Sequence, residues 1–175
     1  MPRVRHTCAV AVIALTALSL PLRATTTPPF ARARLRPQSP RVATWMAHGL
    51  TRSPTLRALA ERVERGNVVV YLEIAHTLDP AMATCVTWMA AAPGARYVRV
   101  SLQPNLREAQ AIAMLAHELQ HVVEVIDHEE VTSADTLAAL YARIGHRSGP
   151  TGLAWDTLAA LRAGDSARLE VVRGA

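Results

Sequence analysis

From about residue 53 onward, apolar and polar positions recur along this chain with two different periods, one helical and one strand-like. Ser53-Pro54 opens a helix: the serine can accept from a freed backbone N–H, and the proline ring fits the first turn. Leu56, Leu59, Ala60 and Val63 follow at helical spacing, and Gly66 ends the run. Residues 68–74 (VVVYLEI) are β-branched and predict a strand. Asp79-Pro80 marks a turn, residues 84–89 predict a second strand, and residues 96–102 alternate as a third. Pro93-Gly94 between the last two predicts an antiparallel hairpin.

Pro104-Asn105 breaks the third strand. Asn105, with Glu108 three residues on, has the spacing of a helix N-terminus, and a long helix is predicted over 106–126. A second is predicted over 133–144, closed by Gly145, and a shorter third over 153–162, closed by Gly164. Residues 168–172 fit strand or helix equally well. The order gives an α+β fold: one helix, a small and mostly antiparallel three-stranded sheet, then the long helix and one or two more. Aromatics are only 4% of the chain, so Ala, Val, Leu and Ile must fill the core.

The first 41 residues read differently. Arg3 and Arg5 precede an apolar run from Cys8 to Leu20, Pro21 breaks it, and Ala24 is a small residue suited to a cut. Residues 1–24 therefore predict a signal peptide and an exported protein, periplasmic or secreted. The run is shorter than the roughly 20 residues a spanning helix needs, so an uncleaved anchor is the lesser alternative. No stable membrane association is expected after cleavage. Residues 25–41 are rich in Thr, Pro and Arg and predict an extended linker. Residues 42–175 form a single domain, its folded part beginning between Val42 and Ser53.

Charge changes the picture only for the leader. The chain carries +5 overall, but seven arginines and no acid lie before residue 42. From there on, 12 arginines meet all 14 acidic residues, and no basic patch with interleaved aromatics is present. A nucleic-acid partner is not expected. Every basic residue is arginine, which reads as coding bias. With Cys8 in the leader, Cys85 stands alone, which excludes a disulfide framework and a cysteine-based metal site. Cys85 reads as a buried inert thiol.

The candidate chemistry lies in the long helix, as His117-Glu118-Leu-Gln-His121. Residues four apart in a helix are about 40° apart around the axis and about 6 Å along it. His117 and His121 can therefore share one ion, and Glu118 stands beside them, able to take a proton from a metal-acidified water. Ile112, Leu115, Leu119, Val122, Val123 and Ile126 fall on the opposite side, so the helix can bury its back while the histidines face a cleft.

This stretch resembles the active-site helix of zincin metallopeptidases. The resemblance implies a zincin-like fold, Zn2+ bound by His117 and His121, Glu118 as general base, and a peptide or protein substrate held along a sheet edge near residues 84–102. It covers about ten residues closely. Glu124 and Asp127 stand where a metzincin has glycine and a third histidine, so the likeness is to the gluzincin type, whose third ligand is a later glutamate. Glu130 is the first candidate for that ligand. Glu124, Glu129 and Asp135 are alternatives, and Glu124 also suits the role of holding a histidine ring nitrogen. Tyr141, Arg143 and His146 are candidate oxyanion donors, while His48, His76 and His128 read as surface histidines. The expected function is zinc-dependent peptide-bond hydrolysis outside the cytoplasm. The alternative is a non-catalytic zinc-binding or envelope interaction module on the same scaffold.

Overall fold

A computed structural model describes residues 33–79, 82–148, 152 and 154–174. The expected signal peptide lies outside them, as does Leu153, where the third late helix was expected to begin. Among the described residues, no helix is long and apolar enough to cross a membrane.

Folded structure begins earlier than the sequence pattern suggested. Strand β1 (Leu35–Pro37) and helix α1 (Pro40–Arg52) occupy part of the expected linker and the stretch after it. Two features hold β1. It pairs in parallel with β2 (Val68–Ile74), and the Glu64 carboxylate accepts from the N–H groups of Arg34 and Leu35. Helix α1 opens on Ser39-Pro40, the same signal seen at Ser53-Pro54, and buries Val42, Trp45, Met46 and Gly49 on one face. Helix α2 (Pro54–Arg65) follows as expected: Ser53 Oγ accepts from Leu56 N, and Gly66 ends it.

Among the described residues the sheet has four strands, not three, in the order β1-β2-β4-β3. The expected hairpin is present: β3 (Thr84–Ala92) runs antiparallel to β4 (Ala95–Leu102). Gly94 turns it, with φ at 76°, where a side chain would be strained. The other two pairings are parallel, so the sheet is mixed instead of mostly antiparallel. The burial of Val68, Val69, Val70 and Leu72 explains this: β2 is covered on both faces, as parallel strands require. β3 forms an edge of the sheet.

Helix α3 (Glu108–Asp127) packs against the C-terminal helix, α2 and the sheet, and its stripe from Ile112 to Val123 is buried in the core they share. Its N-terminus is set by Arg107, whose N–H is accepted by Gln110 Oε1 at 3.2 Å, and not by Asn105. Glu108 instead meets His48 and Arg52. The other end is held by Arg96, only 5% exposed. Its guanidinium donates to the carbonyls of Val125 and His128 at 2.7 and 2.8 Å, and to Asn67 Oδ1 at 2.6 Å. Buried carbonyls at a helix C-terminus need such donors.

Helix α4 (Ala134–Ile144) matches its expected span. After Gly145 comes a hairpin too short to show a period, β5 (His146–Ser148) against β6 (Ala154–Asp156). The last helix, α5 (Leu158–Arg173), starts later and runs further than expected. Gly164 does not close it but sits buried within it, against α3.

Candidate metal centre

The motif helix presents its histidines toward the β5–β6 hairpin. Oδ1 of Asp156, on β6, lies 3.6 Å from His117 Nε2 and 3.7 Å from His121 Nε2. Donors held at about 2.0–2.1 Å around a tetrahedral ion are about 3.3 Å apart, so the spacing suits one ion. His117, His121 and Asp156 form a group that can hold a metal ion. Two imidazoles and a carboxylate are a donor set that zinc accepts while keeping a position open.

The structure does not bring Glu130 to this group. It is exposed in the loop before α4 and accepts from Arg143 at 2.8 Å, which holds its carboxyl below the usual range. Glu129 is exposed in the same loop, and Asp135 is exposed in the first turn of α4. Asp127 pairs with Arg62. Asp156 escaped the sequence reading because the expected helix over 153–162 absorbed it. A usable signal was Thr157 before Leu158-Ala-Ala-Leu, which caps α5 and leaves Asp156 just outside a helix.

Glu124 meets His121 at its other ring nitrogen. Its Oε2 lies 2.8 Å from His121 Nδ1, and its Oε1 accepts from the Thr157 hydroxyl at 2.6 Å. With Nδ1 bound this way, the lone pair of His121 is left on Nε2, toward Asp156. Burial pulls the His121 imidazolium pKa down. The Glu124 hydrogen bond and the charges of Glu118, Glu124 and Asp156 outweigh it, and the value stands above the ordinary one.

Glu118 is 3% exposed and takes a short hydrogen bond from the Thr84 hydroxyl at the start of β3. Of the three candidate oxyanion donors, only Tyr141 lines the site. Its hydroxyl donates to the His121 carbonyl at 3.1 Å. Burial, and then the negative charge of Glu124, Glu118 and Asp156, pushes its pKa far up. Arg143 is exposed on α4 and paired with Glu130, and His146 is exposed at the start of β5. Among the remaining histidines, His76 is exposed, His48 pairs with Glu108, and His128 bonds the Glu124 carbonyl.

Two glycines allow the group to assemble. A Cβ on Gly164 would lie 3.3 Å from His117 Cβ, and one on Gly145 would lie 2.7 Å from the Asp156 carbonyl oxygen. The group opens into a cleft of about 680 Å³ lined by β3, α3, α4 and the hairpin. Cys85 lines it too, half-buried instead of fully buried. Desolvation raises the thiol pKa, against the lowering effect of the hydrogen bond with Thr87.

Comparison with known proteins finds no matching family model, no similar curated protein and no similar solved structure. The residues and their geometry therefore carry the functional reading.

Proposed function

We propose that this chain is a zinc-dependent peptidase that acts outside the cytoplasm after export through residues 1–24. One observation carries the reading. Two imidazole nitrogens and the Asp156 carboxylate converge at 3.6 and 3.7 Å, beside the buried carboxylate of Glu118 and the edge strand β3. His117, His121 and Asp156 would hold the ion, which supplies Lewis acidity to a water and to a substrate carbonyl. Glu118 then acts as general base, taking the water proton and returning it to the leaving amine. Thr84 orients the Glu118 carboxylate through its hydroxyl. Among the described residues β3 pairs with β4 alone, and an extended peptide could lie along its other edge. Glu124 and Thr157 hold His121 in register.

The test is zinc per chain and peptide hydrolysis in the wild type, His117→Ala and Glu118→Gln. The reading expects about one zinc per chain in the wild type and in Glu118→Gln, none in His117→Ala, and hydrolysis in the wild type alone. A wild type that holds zinc yet cleaves no peptide would favour a non-catalytic zinc module. A wild type with no zinc after metal supply would remove both readings.

A further inference from the structure

The cleft beside the metal group is unevenly walled. Helix α4 turns Ala134, Leu137, Ala138 and Tyr141 toward it, residues that share a face by helical spacing. Leu137 and Tyr141 are buried and form the wall. Ala134 and Ala138 are exposed, and each ends at its Cβ, so the space above them stays open. Trp155 on β6 and Leu161 on α5 line the same cleft. The Arg147 guanidinium lies 4.2 Å from the centroid of the Trp155 ring and steadies it.

We propose that this recess between α4 and the β5–β6 hairpin is a side-chain subsite. It would take an aliphatic residue of leucine or methionine size next to the scissile bond, with Ala138 setting its depth. The proposal rests on the peptidase reading and narrows its substrate class. An aliphatic side chain would be removed from water among Leu137, Trp155 and Leu161. An acidic side chain or a terminal carboxylate would lose its hydration among the same apolar groups. Internal bonds flanked by an uncharged aliphatic residue are therefore the favoured substrates, and chain-terminal bonds that must be held by their carboxylate are not.

Two measurements on the zinc-loaded full chain test this. The first compares hydrolysis of peptides carrying Leu, Met, Ala or Asp beside the cleaved bond. The second follows binding of acetyl-leucine amide and acetyl-aspartate amide to Glu118→Gln through the Trp155 indole NMR resonance. Ala138→Phe fills the recess, and Ala139→Phe, exposed on the same helix outside the cleft lining, serves as the control.

Leu and Met peptides should exceed the Asp peptide in kcat/KM by about tenfold or more, the scale on which an apolar pocket discriminates. Ala138→Phe should shift the preference toward Ala by a similar factor, and Ala139→Phe should leave it unchanged. The leucine amide should move the Trp155 resonance, and Ala138→Phe alone should abolish that response. Equal cleavage of Leu and Asp peptides, or unaltered leucine amide binding in Ala138→Phe, would overturn the subsite and leave the peptidase reading standing. Binding that behaves as expected in a protein that cleaves nothing would uphold the recess and remove the peptidase reading.

Discussion

The hydroxyl of Thr157 lies 2.6 Å from Oε1 of Glu124, a residue 33 positions earlier in the chain. The same hydroxyl oxygen accepts from Ala160 N at 3.1 Å and so caps α5. One threonine thus joins the start of the last helix to the carboxylate that orients His121.

Replacing that hydroxyl should act on two measurable quantities. Thr157→Val is expected to lower zinc affinity by about tenfold through loss of the His121 support. It should also lower stability by about 1 kcal/mol through loss of the cap. Thr157→Ser should restore both. Competition with a chromophoric chelator reads the first and urea unfolding the second. Wild-type affinity in the valine variant would mean that Glu124 holds His121 without help.

Asp156 and Glu130 make opposite predictions. Asp156→Ala should reduce zinc retention in gel-filtered protein to well under one per chain, because only two donors remain. Glu130→Gln should keep full occupancy, since that carboxylate meets Arg143 at an exposed site. The reverse result would return the third-ligand role to Glu130.

Arg96 closes the C-terminus of the helix that bears the motif. Arg96→Met removes the donors to Val125, His128 and Asn67 while keeping much of the side-chain volume. Stability should fall by about 2–3 kcal/mol, because buried carbonyls are left unpaired. Loss of amide exchange protection should concentrate at residues 122–131. A uniform loss would mean that the arginine supports the sheet as much as the helix.

Glu170 gives a pH dependence. Burial works against its charge, but hydrogen bonds from Ser53 and Thr55 outweigh it and hold the carboxyl below the ordinary value of 4.5. A depressed folded-state pKa stabilises fully above the unfolded value, and the contribution is lost as the pH falls through the folded one. Wild type should exceed Glu170→Gln by about 1 kcal/mol at pH 7. The gap should close as the pH drops below 4.5. Thermal melts of both proteins across that range check the sign.

Gly164 tests how closely α5 must approach His117. Alanine there gains about 1 kcal/mol of helix propensity and meets His117 Cβ at 3.3 Å, so its net effect should stay within about 1 kcal/mol. Gly164→Val must push the helices apart and should cost about 2 kcal/mol or more, with weakened zinc binding. Calorimetry and metal titration distinguish the two.

What the sequence disclosed follows from how much local pattern each element carries. The 20 residues of α3 repeat their apolar stripe over several turns, and Ser53-Pro54 states a helix start chemically. Ser39-Pro40 states one just as clearly, but it lay in a segment dominated by its Pro and Arg content. Strand partners were not legible: β2 and β4 read alike as strands, and only the burial of both faces of β2 shows why they lie parallel. In the site, His117, Glu118 and His121 are one helical unit and declare their relation by spacing. Asp156 comes from a three-residue strand, too short for a period, and joins them only through the tertiary fold.

That dependence bears on shortened forms of the chain. A fragment that stops before residue 156 keeps both histidines but lacks Asp156 and Thr157. It would be without the third donor of the proposed metal group and without the hydroxyl that meets Glu124. On the peptidase reading, hydrolytic competence would then wait until α5 settles against α3, and a chain cut short would be no protease.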